Sequence, residues 1–509
     1  MIVRGKYVFA GSDFSNWICD GAVVIKDGYI IGIGDWKTLC TKYPDEKIVG
    51  DGSQILMPGM IDSHTHGNGI SFAQKGIKYD FLENCMAEMD FSVCVSPQTN
   101  SMLNACRHIH NGCTTIHHNN WVDALDDTEF ETDCARIEAY KKTGVRLAFS
   151  LGTRNENVLA YGEEEFLKTL PIELRERAKV FASIPKERAA NHYFDVFDQI
   201  YKKYNSDSVR VFLGPNWVQG STDEMLQETK HKSDSLGGTP IHIHTLQTPV
   251  QKAYGIRRYG KSLVEHLQDL GLVDRNLVLG HAVFLTKEDA KMLGECGASI
   301  THHPSCNLAV RNGIAPIKEY LRNNINVTIG IDEKGINDDD DIFMELRMAF
   351  YLSRINSHDP EDEPLKPSEI FKMATINASR VCGYCGDIGS LDIGKRADMI
   401  LVNCDSIMNK PWSDKSAALD QLILHRTLGR FVDIVIVNGE IIMEHQKILT
   451  IDEDELFETA CREAELGQTK EQREKLGIMR EVIPYRKKYY KQMLETVEFE
   501  PFYQVNSKI

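Results

Sequence analysis

The order of hydrophobic and polar positions changes twice along the chain. Residues 2–8, 21–26 and 29–34 are short β-rich runs separated by turn residues, and Lys26-Asp27-Gly28 between the last two is a hairpin signal. A similar block returns far downstream at 398–402 and 433–437, followed by Asn438-Gly439 and the run 440–443. Two half-sheets at opposite ends of one chain complete each other, which predicts one small β-sandwich built from residues 1–55 and 385–450. Between the blocks, apolar runs alternate with stretches whose apolar residues fall at helical spacing, clearest at 261–271, 287–294 and 338–354. Eight runs are candidate strands: 55–66, 114–119, 146–152, 209–218, 240–248, 277–285, 298–305 and 326–333. Near-continuous apolar strands alternating with helices predict a parallel sheet covered on its outside. Eight such units close into a (β/α)8 TIM barrel, an α/β fold spanning residues 56–384. Residues 451–509 differ again. They are charged and helix-prone through Glu495, carry Tyr485, Tyr489 and Tyr490, and end with Phe499, Phe502 and Tyr503. This helical C-terminal extension has three possible settings: across the barrel, against a second subunit, or solvated with an adhering end.

Composition narrows the partners. The 509 residues are 42% hydrophobic and 26% charged, as in soluble globular proteins. A formal net charge of −16 without a long Lys/Arg stripe argues against nucleic acid. The N-terminus lacks the charged-then-apolar pattern of a secretory signal, and no uninterrupted apolar stretch is long enough to cross a bilayer, so no membrane association and a cytoplasmic location are expected. Thirteen cysteines at irregular spacings fit a reducing compartment. The one Cys-x-x-Cys, Cys382 to Cys385, has no second pair near it and reads as two small semi-buried residues near a helix end. It lacks the preceding Pro, and the chain lacks the His-x-Glu, of the cytidine-type zinc deaminases.

Candidate chemistry collects at the strand ends. The stretch ILMPGMIDSHTH, residues 55–66, delivers His64 and His66 two positions apart, so both imidazoles aim at one face of a strand. Two imidazoles on one face suit a metal ion, but a His-x-His pair alone is a weak signal. Barrel enzymes carry their chemistry where the βα-loops converge on the C-terminal mouth. There strand five, PIHIHTLQT, supplies His242 and His244, strand six supplies His281, and strand eight, NVTIGIDE, supplies Asp332. Four strands aim imidazole or carboxylate at one place, the arrangement a shared metal site needs.

The chain resembles the amidohydrolase superfamily, in its aminohydrolase branch with triazine chlorohydrolases, guanine deaminase and adenosine-type deaminases. The matching stretches are MPGMIDSHTH, NGCTTI at 111–116, HIHTLQT, GHAVFLTKEDAKMLGECG, THHPSCNLAVRNGIAPI, IGID, ATINASRVCG and GSLDIGKRADMILV, in the family's order. The resemblance implies that His64, His66, His244 and Asp332 bind one divalent ion, zinc foremost with iron as the other option. His281 would stand beside a bound water, and His242 would be the non-ligand member of its pair. Strand four, VRVFLGPNWV, lacks the Lys or Glu that would bridge two metals, so a mononuclear site is expected. The resemblance and the aromatic tail also suggest a homodimer or higher homo-oligomer.

Such a site makes hydroxide available at neutral pH, since a metal lowers the pKa of bound water from about 15.7 toward about 7. Asp332 can accept that proton and pass it to a departing nitrogen, while His281 steadies the attacking oxygen. The expected reaction is hydrolytic displacement at a C–N bond of a small molecule, foremost deamination of a nitrogen-rich heterocycle. One position departs from the family pattern: the Glu three residues after the strand-five ligand is here Gln247. An amide donates a hydrogen bond but exchanges no proton near neutral pH, which leaves room for hydrolysis of an amide, urea, carbamate or lactam. A catalytically silent binding scaffold is the remaining reading, and the intact ligand set argues against it. His118, Asn216, Trp217 and His303 are candidate pocket residues. The acidic run 338–341 reads as helix capping, and Glu333 follows Asp332 where the family has Gly.

Overall fold

A computed structural model describes the chain except residues 15, 90, 91, 93, 94, 121–127, 183, 184, 333–337, 356, 409–417, 504, 505 and 507–509, and of residue 87 it describes the backbone alone. Glu333 lies outside the described residues. The barrel strands are β1 (Met60–Thr65), β2 (Cys113–Asn119), β3 (Arg146–Thr153), β4 (Val209–Pro215), β5 (Ile241–Thr245), β6 (Leu277–His281), β7 (Ser299–His302) and β8 (Asn326–Ile329). Each pairs in parallel with the next. The ring closes just past β8, where the Asp332 N–H donates to His64 O at 2.8 Å and the His66 N–H donates to Asp332 O at 2.9 Å. The strands are apolar on alternate positions because their outer face packs on helices: Leu147, Val211, Ile243 and Leu279 share one core with Phe197, Val264, Leu267 and Leu346. Burying each such side chain contributes about 1.5–3 kcal/mol.

The run 55–66, expected as one strand, is two. Gln54–Pro58 belongs to a second sheet, where it pairs with Ile2–Phe9 and Met399–Asn403. The chain then turns into β1 at Gly59, where a Cβ would stand 2.2 Å from Thr114 Oγ1, so no larger residue fits. The second sheet joins both chain ends in nine strands, from Lys447–Ile448 at one edge to Tyr29–Asp35 at the other. Two of its hairpins turn at Asp27-Gly28 and Asn438-Gly439, all four residues having positive φ (51°, 79°, 52° and 82°), as a two-residue turn of the primed type requires. Sheet and barrel are tied by a buried ion pair in which Arg146 Nη2 donates to Asp398 Oδ1 at 3.2 Å.

The C-terminal extension packs across its own barrel. Helix Lys470–Leu494 begins with a capping box between Thr469 and Gln472 and buries Met479, Val482, Tyr489, Tyr490 and Met493 against Leu159, Tyr161, Phe166, Val250 and Tyr254. Phe499 beyond it reaches Phe284, with ring centroids 6.2 Å apart. Asp341 caps helix Ile342–Leu352, its carboxylate accepting from Phe343 N at 2.9 Å, which is the capping role the acidic run suggested. No described helix is long and apolar enough to cross a membrane.

One buried carboxylate braces the site from below. Asp62 Oδ1 accepts from the backbone N–H of His64 at 3.2 Å and of Ile331 at 3.0 Å, and Oδ2 accepts from His108 Nε2 at 2.8 Å. Both side chains are fully buried. Replacing His108 with Leu keeps the volume but strands this carboxylate, and we expect it to lower unfolding stability by about 3–5 kcal/mol in urea titrations.

Candidate metal centre

The C-terminal ends of β1, β5 and β8 bring three imidazoles and one carboxylate to a point. His244 Nε2 lies 3.2 Å from His64 Nε2 and 3.3 Å from His66 Nε2. Asp332 Oδ1 lies 3.3 Å from His66 Nε2 and 3.7 Å from His64 Nε2. Nitrogens held about 2.0–2.1 Å from a tetrahedral zinc ion would stand about 3.3–3.4 Å apart, so the spacing of His244 from the other two imidazoles is that of a coordination shell. The tautomers agree. His66 Nδ1 donates to Asn119 O at 2.8 Å and His244 Nδ1 to Asn216 O at 2.7 Å, which leaves each Nε2 with its lone pair facing the point. His64 Nδ1 is held at 2.9 Å by His242 Nε2, so His242 orients a ligand from below. The donor set fits a divalent cation.

Burial keeps these groups in ligating form. It drives the His64 and His244 imidazoles well below the usual histidine range, and the neighbouring imidazoles push them further. Burial raises the Asp332 carboxyl, but interaction with the imidazoles of His66, His281 and His303 outweighs it and holds the group well below the ordinary carboxylate range. Backbone strain accompanies the arrangement. His281 and Asp332 have φ of 67° and 74°, a left-handed conformation that costs a non-glycine residue about 1–3 kcal/mol and turns both side chains inward.

His281 stands beside these four groups. Its Nδ1 lies 3.0 Å from Asn307 Oδ1 and its Nε2 3.6 Å from Asp332 Oδ2, and burial lowers it to about 4. His303 packs under His64 with ring centroids 4.2 Å apart, its Nδ1 3.7 Å from Asp332 Oδ2 and 3.1 Å from His281 Nδ1. Gly330 makes room for the pair, since a Cβ there would stand 2.7 Å from His64 Cβ. His64, His281, His303 and Asp332 thus form a second group of potential ligand atoms that shares His64 with the first, which is His64, His66 and His244.

Above the ligands a pocket opens, with His66, His244, His281 and Asp332 as its floor and Trp217, Gln247, Phe72, Leu82, Met86 and Met89 among its walls. Trp217 and Gln247 therefore face the mouth. Asn216 contributes its backbone carbonyl to His244, and His118 points to the helix layer, where its Nδ1 lies 2.9 Å from Tyr140 OH. Sequence reasoning did not single out the apolar wall from helices Phe72–Lys75 and Leu82–Met89, nor the carbonyls of Asn119 and Asn216. The wall follows β1 directly, where a first βα-loop belongs over the mouth, and that position was the available signal. A backbone carbonyl leaves none.

A (β/α)8 barrel whose strand ends gather a histidine-rich cation site under an apolar mouth has the architecture of a metal-dependent hydrolase. Residues 55–442 match the amidohydrolase family, and the chain belongs to it; it is a hydrolase acting on carbon–nitrogen bonds. The chain is 27% identical over 424 residues to the 5-methylthioadenosine/S-adenosylhomocysteine deaminase of Caldanaerobacter subterraneus, covering 81% of this chain and 88% of that one. It is 25% identical over 470 residues to the 5'-deoxyadenosine deaminase of Methanosarcina acetivorans, covering 91% and 98%. Its fold is shared with a zinc-bound adenosine deaminase from Xanthomonas campestris at a TM-score of 0.77 and 21% identity, covering 91% of this chain and 98% of that one.

Zinc added to chelator-treated protein should raise the thermal midpoint, by a stabilisation of about 4 kcal/mol at a thousandfold excess over its dissociation constant, and Asp332→Ala should abolish most of the rise in a calorimetric scan. Burial also lowers His117 and His302 to about 3, so in the fold both stay neutral between about pH 3 and 6.5 while the unfolded chain protonates them. At these two residues the unfolded state then binds more protons, so their contribution to stability falls as pH drops below about 6.5, by up to about 1.4 kcal/mol per pH unit for each residue. Urea midpoints of metal-free protein at pH 7 and pH 5 read this directly, and His302→Leu should make the fall shallower.

Proposed function

We propose that the protein hydrolytically deaminates a nitrogen-rich heterocycle, with one divalent cation, zinc foremost, held by His64, His66, His244 and Asp332. The observation that carries the reading is the gathering of those four groups beneath a pocket with apolar walls. The names of the relatives, deaminases of adenine nucleosides that align with 81–91% of the chain, support the substrate class. A bound divalent cation supplies Lewis acidity that lowers the pKa of water to about 7.

The chain's own residues do the rest. Asp332, held anionic by its imidazole neighbours, accepts the proton shed by the attacking water and returns it to the departing nitrogen. His281 is 3.6 Å from the other Asp332 oxygen and steadies the oxygen added to the substrate carbon. Trp217 offers a flat face to a heterocycle, and Gln247 an amide to a ring nitrogen. Because Gln247 carries no exchangeable proton near neutral pH, Asp332 manages the proton inventory without the usual glutamate. The same amide favours one second reading, hydrolysis of an amide, urea, carbamate or lactam bond, whose substrate needs no ring protonation.

No disulfide joins any two of the twelve described cysteines, which supports a cytoplasmic location. Homodimerisation is carried by the family resemblance, since the aromatic tail that also suggested it packs on the chain's own barrel.

Ammonia release measured over adenine nucleosides, guanine, cytosine and amino-triazines tests the proposal. We expect release from at least one ring substrate, and a carboxylate or ring-opened product without ammonia would overturn it for the second reading. Asp332→Asn should lower kcat/KM by about 10²–10⁴-fold. Gln247→Glu should raise kcat on an amino-heterocycle and move its pH profile, while an unaltered profile would place Gln247 away from the reacting nitrogen.

A further inference from the structure

The floor of the mouth is closed off from solvent. His281, Asp332 and His244 are all buried, and even His244 is only 5% exposed, so a ring reaches them once part of the wall has moved aside. Helix Leu82–Met89 is built for that movement. Eight residues are too few to hold a helix on their own. Leu82 and Cys85 pack with Phe72, Ile77, Cys306 and Val310 in a small cluster apart from the barrel core, so the wall can leave without opening that core.

The C-terminal helix stands beside this wall as a fixed post. Met479, Val482 and Tyr490 are buried on the barrel, and Arg486, also buried, donates from Nη1 to Leu159 O at 3.2 Å. Between post and wall lies a second cavity, which shares Met86 and Trp217 with the mouth and is closed by Met479, Arg486 and Tyr490. Among the described residues two ion pairs run from post to wall. Arg480 Nη2 donates to Glu88 Oε2 at 3.1 Å, and Lys487 Nζ lies 2.5 Å from Asp80 Oδ2. Arg480 and Lys487 are two turns apart on one helix face, and Asp80 and Glu88 bracket the wall helix, so the pairs grip it at both ends. Asp80 is itself tied to the first turn, its Oδ1 accepting from Phe81 N at 2.8 Å and its N–H donating to Cys85 Sγ at 3.0 Å. All four charged side chains are partly exposed, so each pair is weak and parts reversibly. The extension adds a third tie at Glu463, which accepts from Ser96 N at 2.7 Å and Thr99 Oγ1 at 3.0 Å.

We propose that Arg480 and Lys487 are positioning residues that latch helix Leu82–Met89 over the mouth, and that this helix swings away from the C-terminal helix, as the two pairs part, to admit substrate. Both cations lie beyond residues 55–442, the stretch that matches the family, so the latch is supplied by the chain's own extension. Access of this kind is independent of which carbon–nitrogen bond is broken, and so goes beyond the deaminase reading.

Cys85 reports the opening without any substrate. Burial pushes its thiol up to about 11, and it meets N-ethylmaleimide only when the wall is out. Cys113, fully buried in β2, reports global unfolding in the same sample. Peptide mapping by mass spectrometry gives both labelling rates in the wild type, Arg480→Glu, Glu88→Arg and the double variant that exchanges the two charges. The ratio of the Cys85 rate to the Cys113 rate should rise about threefold or more in each single variant and return to within about twofold of the wild type in the exchange. A ratio unchanged in both single variants overturns the latch. So does a ratio that stays high in the exchange, because lost packing rather than lost charge attraction is then the cause. For a substrate that releases ammonia, KM should rise with the ratio while kcat changes less, and should recover in the exchange; a wild-type KM beside a raised ratio overturns the role in admission. Absence of ammonia release from every ring compound would count against the deaminase reading alone, and the labelling ratio would still decide the latch.

Discussion

Three imidazoles, with His244 Nε2 3.2–3.3 Å from the nitrogens of the other two and a carboxylate beside them in a largely buried site, are mutually unfavourable until a cation joins them. Everything around them serves to hold that arrangement. Carbonyls of Asn119 and Asn216 fix two tautomers, His242 fixes the third ligand, and Asp62 clamps the backbone of His64 to that of Ile331. The barrel supplies the stiffness. Its closing bonds run through His64, His66 and Asp332 themselves, so these residues sit on the seam, and the seam cannot loosen without moving them.

The second sheet has a comparable mechanical role. Strand Gln54–Pro58 continues into β1 through Gly59, so His64 and His66 are carried on a rod anchored at its base between Ile2–Phe9 and Met399–Asn403. Arg146 and Asp398 pin the same base laterally. A sheet remote from the chemistry thus fixes the direction in which His64 and His66 approach the mouth.

Much of this was legible in the sequence because period and position carry it. His64, His66, His244, His281 and Asp332 fall at the ends of apolar runs, and a parallel barrel sends all such ends to one rim. The break at Gly59 was not legible, because an apolar run reads alike whether it stays in one sheet or passes between two. Strand parity explains His118: His117 turns inward to meet the His242 ring at 4.7 Å, which sends its neighbour to the helix layer. The seat of Arg486 was hidden for another reason. A cation on a charged amphipathic helix looks like any solvated side chain until the helix is docked, and docking depends on Tyr161, Phe166 and Val250 from distant segments.

The docked C-terminal helix also sets an order of assembly. The clustered imidazoles and Asp332 lie within residues 64–332, whereas Arg486 is translated about 150 residues later, a delay of about 8–30 s at typical elongation rates. Until the helix that carries it docks, the cavity beside the mouth lacks the wall formed by Met479, Arg486 and Tyr490.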